Sequence, residues 1–171
     1  MLPFGKYAAL TAALAIAACT SSGGGPGGLS ASQVRALPVT ANMPTSGTAT
    51  YRGKTSQTDY AAGVGDLTLT SDVRLDANFA NNRINGTVSN VKASAAQGSV
   101  AYDGSLTGTG NIVGSQFYVP TTGVLTSRNT GNTIYTAADV DGTFKGANAD
   151  AIDGSVTFYG SPTTPLIAIK Q

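Results

Sequence analysis

The stretch Asp66-Leu-Thr-Leu-Thr-Ser-Asp-Val-Arg-Leu-Asp-Ala-Asn-Phe79 alternates between polar and apolar residues. Its even positions are all polar, and its odd positions are apolar except for Ser71. Alternation of this kind exposes one face and buries the other, which is the pattern of a β-strand. Fourteen residues would extend about 46 Å at roughly 3.3 Å each, which is long for one flat strand. We therefore expect a bend or bulge near Ser71.

The residues after this strand predict a hairpin and then a barrel. Ala80-Asn-Asn82 suits a tight turn because Asn tolerates positive φ, and Arg83 to Val91 resumes the alternation. Similar runs predict strands near residues 47–54, 65–79, 83–91, 98–108, 111–119, 121–127, 138–145 and 153–159, with Pro165 to Lys170 as a strand that closes the edge. About eight strands in one short domain predict an all-β fold, a single eight-stranded antiparallel barrel, because closure leaves no edge free to aggregate.

A second pattern occurs four times in the chain. It reads apolar residue, Asn or Asp, Gly, Ser or Thr, apolar residue, and its copies are centred on Gly86, Gly104, Gly142 and Gly154. Asn-Gly and Asp-Gly form two-residue hairpin turns, whereas Gly inside a strand permits the sharp coiling of a small barrel. The apolar alternation continues beyond the motif, to Ala138 on one side and Phe158 on the other. This continuity favours glycine within strands.

The composition excludes several classes of function. The chain has no His, no Glu and no Trp, and ten Lys and Arg balance nine Asp. Nucleic-acid binding is not expected because no basic patch is present to neutralise phosphates. General acid–base catalysis favours His or a paired carboxylate, yet the Asp residues are scattered, and Asp139 and Asp141 alternate with Val140 and so face water. We predict a protein that is not an enzyme, with no catalytic residue, no metal site and no cofactor.

The N-terminus predicts a lipoprotein signal peptide over residues 1–18. A start with one charge at Lys6 precedes the apolar run Tyr7 to Ala18, which is too short to span a membrane as a helix. The run ends in Ile16-Ala-Ala-Cys19, which resembles the lipobox of bacterial lipoproteins. The resemblance implies cleavage before Cys19 and acylation of its sulfur, so the membrane is an expected partner. Several acyl chains together anchor a protein firmly.

Residues 19–44 are expected to form a lipidated tether and linker. Thr20 to Gly28 is rich in Gly and Ser and suits a flexible spacer, and Leu29 to Leu37 predicts one short helix before Pro38. No Asp follows Cys19, which in Gram-negative lipoproteins implies passage to the outer membrane. We expect a lipid-anchored protein of the outer membrane, and the sequence leaves open whether it faces the cell surface or the periplasm.

Two segments of residues 45–171 resemble the β-barrel domain of transferrin-binding protein B, which factor H binding protein and related lipoproteins share. Asp76 to Val88 resembles a hairpin of that family, with an Asn turn and an apolar-x-Gly-x-apolar strand. Val140 to Val156 resembles the family's C-terminal signature. There a strand ends in Gly, a one-turn helix with Asn, Ala and an acidic residue follows, and a Gly opens the next strand. The resemblance implies a one-turn helix near Asn148 to Asp150.

The resemblance also implies a non-catalytic binding module of the cell surface or outer membrane. Its ligand would be a host or environmental protein, or a nutrient carrier. Loops on a rigid barrel usually carry recognition, so Tyr60, Arg128 and Tyr135 are the candidate binding residues. Two alternatives stay open, an envelope structural lipoprotein and a small-ligand carrier of lipocalin type in the periplasm.

Overall fold

The strands of this protein form one closed antiparallel barrel in which each strand pairs with its neighbours in chain order. The computed structural model describes residues 28–61, 65–96 and 98–171, with the backbone alone for residues 59–61. Its elements are α1 (Ala31–Ala36), β1 (Thr48–Ala61), β2 (Gly65–Asn78), β3 (Arg83–Ala95), β4 (Gly98–Val113), β5 (Gln116–Ser127), β6 (Thr133–Lys145), β7 (Ala151–Phe158) and β8 (Thr163–Lys170). The predicted all-β class and eight-stranded barrel are confirmed. The predicted signal peptide, Cys19 and the tether through Gly27 lie outside the described residues.

The barrel interior is filled by the apolar side of each alternating strand. The largest fully buried side chains are Tyr51, Phe144, Leu75, Ile84, Leu106, Ile152 and Leu166. Neighbouring strands pair over most of their length, and β1 pairs with β2 at every position from Thr48 opposite Asn78 to Ala61 opposite Gly65. The β1–β8 pairing that closes the barrel is shorter and includes four pairs, from Tyr51–Lys170 to Lys54–Ile167.

The irregularities predicted in the β2–β3 hairpin are confirmed. The register between these strands shifts between Thr70 and Asp72, where Ser71 lies opposite two residues of β3, Asn90 and Val91. The predicted β-bulge near Ser71 is therefore present, and its extra residue belongs to β3. Asn82 in the connecting turn has a φ of 53°. A bulge bends the strand that carries it and increases the local twist, so this one lets the long β2–β3 ladder curl around the core.

The four motif glycines lie within strands, and the hairpin interpretation of the motif is excluded. Gly142 in β6 lies directly opposite Gly154 in β7. An added Cβ on Gly142 would lie 2.9 Å from Ile152 Cγ2 and 3.0 Å from the Phe117 ring. Gly142 therefore makes room for large side chains, whereas an added Cβ on Gly154 would meet the backbone oxygen of Asp141.

The predicted boundaries of the central strands are wrong. We predicted breaks between residues 108 and 111 and near Pro120, whereas β4 continues to Val113 and β5 starts at Gln116. The turn between them contains Gly114, which has a φ of 58°. On one side Pro120 pairs with Asp139 of β6. On its other side the β4–β5 ladder is interrupted, because its pairs stop after Thr107–Thr122 and resume at Asn111–Tyr118. A residue without an N–H is tolerated where the ladder is already interrupted.

The one-turn helix predicted near Asn148 to Asp150 is also wrong. Residues 146–149 form a turn in which Gly146 and Ala149 have φ values of 86° and 51°. The Asp150 N–H donates to the Lys145 carbonyl at 2.8 Å across this turn. Between these two left-handed residues only residues 147 and 148 remain, which are too few to form a helical turn.

The short helix predicted between Leu29 and Leu37 is confirmed as α1. The Ser30 side chain and backbone exchange hydrogen bonds with Gln33 in a capping box, which satisfies two N–H groups at the start of the helix. The helix ends before Pro38, as expected from the conformational limit that proline places on the preceding residue. Within the described ranges, no helix has the length and apolar character needed to cross a membrane.

Part of the predicted linker packs against the barrel. Val34 is fully buried, and the Arg35 Nε lies 3.8 Å from an Asp153 oxygen on β7. The Thr40 N–H donates to the Phe144 carbonyl at 2.9 Å, and the Thr40 hydroxyl donates to the Gly146 carbonyl at 2.7 Å. The folded body therefore includes residues of the predicted linker as well as the barrel.

Candidate functional site

The barrel has two dissimilar ends. At the proximal end lie the β2–β3, β4–β5 and β6–β7 connections, and the segment before β1 enters the barrel there. At the distal end lie the β1–β2, β3–β4, β5–β6 and β7–β8 connections. The distal end is therefore the end opposite the one at which the chain enters β1.

The proximal end is closed by aromatic side chains around Phe144. The Phe144 ring centroid lies 5.6 Å from that of Tyr51, 5.9 Å from that of Phe79 and 5.5 Å from that of Phe117. The Tyr51 hydroxyl donates to the Ala149 carbonyl at 2.6 Å. Burial raises the pKa of Tyr51 well above its ordinary value, and the Asp150 carboxylate adds to this effect. The phenol is thus neutral at physiological pH and acts as a structural donor.

The distal end opens into an apolar pocket of about 280 Å³. Its apolar walls include Leu67, Leu69, Val91, Ala93, Leu125 and Phe158. Polar groups occupy one side and the layer beneath it. The Thr164 hydroxyl donates to the Gln57 side-chain oxygen, and the buried Thr55 and Ser71 hydroxyls share a hydrogen bond of 2.6 Å.

An exposed aromatic patch, formed by Tyr135, Tyr159 and Val124, lies on the outer surface beside this pocket. The two tyrosines are 87% and 89% exposed, and Val124 is 36% exposed. Val124 and Tyr135 are opposite each other in the β5–β6 ladder. The Tyr159 N–H donates to the Ala137 carbonyl at 3.0 Å, which fixes the start of the β7–β8 turn beside β6. Two large side chains of this kind in water are typical of interaction surfaces.

The structure places the three predicted binding residues at the distal end but in different settings. Tyr135 lies in β6 and contributes to the aromatic patch. Tyr60 lies in β1 opposite Asp66 in β2, so the hairpin extends through a segment that we expected to be a loop. Arg128 is in the β5–β6 turn, where its Nε and NH2 groups donate to Asp103 at 2.8 Å and 2.6 Å. Arg128 thus attaches its turn to β4, and this structural contact explains its presence independently of the predicted role in binding.

Tyr159 and the pocket are the features that the sequence reasoning missed. Phe158 continues the buried phase of β7, so Tyr159 was the next outward position, directly before the turn residues Gly160, Ser161 and Pro162. That phase was the available signal for an exposed tyrosine. The pocket had no local signal, since its walls come from separate strands.

The Asp residues with outward phase contact solvent and neighbouring hydroxyls. Asp141 accepts a hydrogen bond from the Ser155 hydroxyl at 2.8 Å. A hydrogen bond to Asp139 is the largest cause that raises the pKa of the exposed Tyr118. A phenol with a raised pKa is a weaker source of protons, so Tyr118 acts here as a hydrogen-bond donor to Asp139.

Several solved structures resemble this chain, and three of them illustrate the likeness. A mutant of the vaccine antigen transferrin-binding protein B from Haemophilus parasuis Hp5 gives a TM-score of 0.49 at 17% identity, over 78% of this chain and 28% of that one. Isotype 1 transferrin-binding protein B from serogroup B Neisseria meningitidis gives 0.46 at 23% identity, over 75% and 26%. A protein described as a surface lipoprotein gives 0.46 at 15% identity, over 77% and 64%. The chain spans less than two thirds of each, and no curated protein matches its sequence.

The family comparison covers most of the barrel. The family described as the C-lobe and N-lobe beta barrels of Tf-binding protein B matches residues 43–165. This range contains β1 to β7 and the start of β8, together with both segments that resemble the family in sequence. The chain therefore belongs to the family of transferrin-binding protein B β-barrels.

Proposed function

We propose that this protein is an outer-membrane lipoprotein whose barrel is a non-catalytic binding module for a protein ligand. In this proposal the lipid on Cys19 holds the chain to the membrane, and the distal end of the barrel faces the ligand. The observation that carries the proposal is the exposed aromatic patch at the distal end of the barrel.

The chemistry of the patch favours a macromolecular partner. Tyrosine supplies a large contact area at a low cost in conformational entropy, and its hydroxyl forms hydrogen bonds at the edge of an interface. Val124 and Gly123 lie in the same strand beside the tyrosines and give the patch an apolar, shallow surface. The family membership supports the same conclusion, because the barrels matched here are parts of transferrin-binding protein B.

Protease treatment of intact cells tests the location. We expect digestion of the barrel on whole cells, with a Cys19→Ala variant that no longer fractionates with the outer membrane as the control. Protection of the barrel until the outer membrane is broken would contradict a surface receptor. That result would favour the alternative of an envelope lipoprotein that faces the periplasm.

Substitution within the patch tests the binding surface. Tyr135→Ser with Tyr159→Ser should reduce capture of the ligand from host or environmental fluid by about tenfold or more, as is typical of interface tyrosines. Tyr118→Ser is the matched control, since Tyr118 is an exposed tyrosine at the other end of β5. Equal capture by the double variant and the control would refute the patch as the binding surface.

A further inference from the structure

We propose that the distal pocket binds a small neutral molecule that has an apolar body and one hydrogen-bonding group. This inference goes beyond the proposed recognition of a protein, since it concerns the interior of the barrel and a different class of ligand. It rests on the volume of the pocket, the distribution of its polar groups and the absence of charge among the described residues that line it.

The volume sets the size of the ligand. At about 280 Å³ the pocket is slightly smaller than the usual range of roughly 300–1,000 Å³ for drug-sized ligands. An apolar cavity of about 150 Å³ is sufficient for benzene. The pocket therefore suits a fused two-ring aromatic compound or a short branched aliphatic compound.

The interior below the pocket prevents deeper entry. An added Cβ on Gly86 would lie 3.0 Å from Val119 and 3.5 Å from both Leu75 and Thr121, so the space at this inward position is occupied. Phe117 fills the corresponding space beside Gly142. The space beside these two glycines is filled by neighbouring side chains, so within the described residues no channel continues from the pocket into the centre of the barrel. The site is therefore limited to the distal end.

The polar groups give the ligand an orientation. Leu69, Ala93 and Leu125 form apolar walls, whereas Gln57 and Thr164 form a polar wall on β1 and β8. The Gln57 side-chain oxygen accepts the Thr164 hydroxyl, which leaves the amide nitrogen as a donor. A ligand hydroxyl or carbonyl placed there gains a partner while its apolar body contacts the opposite wall.

The lining favours a neutral ligand over an ion. The described residues of the pocket include no Lys, Arg or Asp. Moving an unpaired ionised group from water into such a site costs free energy that none of the described lining residues offsets. The pocket should therefore distinguish a neutral compound from an anion with the same ring system.

The experiment uses the complete lipidated chain in lipid nanodiscs, with empty nanodiscs as the blank. The probes are 2-naphthol and naphthalene-2-sulfonate, which share their rings and differ in charge, and binding is followed by fluorescence polarisation. We expect saturable binding of 2-naphthol above the blank and binding of the sulfonate that is weaker by about tenfold or more. A 2-naphthol signal equal to the blank, or equal affinity for both probes, would overturn the proposal.

A pair of variants locates the site. Ala93→Phe fills the pocket, whereas Ser94→Phe places the same ring at the next position of β3, where Ser94 pairs with the outward Thr68. We expect Ala93→Phe to weaken 2-naphthol binding by about tenfold or more and Ser94→Phe to leave it within about twofold. Unchanged binding by a folded Ala93→Phe would place the ligand elsewhere and refute the site. If Ala93→Phe does not fold, the comparison of the two probes on the wild type still decides the proposal.

Discussion

Replacement of Phe144 by Ala should be among the most destabilising single changes in this barrel. Phe144 is fully buried, and its ring contacts three other aromatic rings at centroid distances of 5.5 to 5.9 Å. Burial of a Phe side chain contributes about 1.5–3 kcal/mol, and each aromatic pair adds about 0.5–1 kcal/mol. We expect a loss of about 4 kcal/mol in the free energy of unfolding, within the range measured for Phe→Ala in cores.

Urea unfolding followed by far-UV circular dichroism measures this loss. Tyr135→Ala is the control, because it removes a large aromatic side chain that is 87% exposed and should change the free energy of unfolding by less than about 0.5 kcal/mol. A domain has only about 5–15 kcal/mol of stability in total, so a loss of about 4 kcal/mol is readily detected. A Phe144→Ala value within about 1 kcal/mol of the control would refute the account of the proximal end as a packed aromatic closure.

Two further predictions concern the opposing glycines and the acid range. In the same urea assay, Gly154→Ala should destabilise the barrel by about 3 kcal/mol and Gly142→Ala by about 1–2 kcal/mol. The reason is that an added Cβ on Gly154 would lie 2.2 Å from the backbone oxygen of Asp141, whereas Gly142 faces side chains that can shift. Equal losses of stability in the two variants would contradict this distinction. Partial burial raises the pKa of Asp76, but hydrogen bonds from Arg74 and Thr50 outweigh this effect and hold the pKa below its ordinary value. The ionised Asp76 therefore stabilises the fold above about pH 4, and this stabilisation is lost as the pH falls through the lowered pKa. Asp76→Asn should lower the free energy of unfolding by at most about 1 kcal/mol, and this difference from the wild type should shrink only in acid. A difference that grows as the pH falls would refute this sign.

The fold was predictable because its main signal is local. The alternation from Asp66 to Phe79 identifies a long half-buried strand, and the same period recurs along the chain. The single departure at Ser71 lies directly opposite the β-bulge, whose extra residue belongs to β3. Ser71 is buried yet satisfied by Thr55, a partner on another strand that no local pattern reveals.

The strand boundaries and the C-terminal turn were less predictable because they depend on tertiary contacts. Pro120 ordinarily argues against a central strand, and it is tolerated because the β4–β5 ladder lacks pairs beside it. The left-handed φ of Ala149 is held by a hydrogen-bonded turn and by the Tyr51 hydroxyl, which comes from a distant strand. The one-turn helix that the family resemblance implied is therefore replaced by a turn that contacts from distant strands hold.

The candidate site also combines features that have a local sequence signal with features that depend on tertiary contacts. The stretch that contains Tyr135 could be selected from sequence as a segment near a barrel end, but its neighbour Tyr159 is brought close only by the β6–β7 pairing. Arg128 illustrates the opposite case. Its charge suggested recognition, and the structure shows that its guanidinium forms an ion pair with Asp103 of β4.

The short β1–β8 pairing has a consequence for the kinetics of folding. Tyr51 and Lys170 are opposite each other in this pairing although about 120 residues separate them in the chain. Contacts of such long range are slow to form, because the entropy of a large loop is lost before the contacts stabilise it. Until β8 docks, both β1 and β7 present a free edge that is able to pair with another chain. Barrel closure is therefore the step at which correct folding competes with aggregation, and deletion of β8 should produce an aggregating species in place of a smaller barrel.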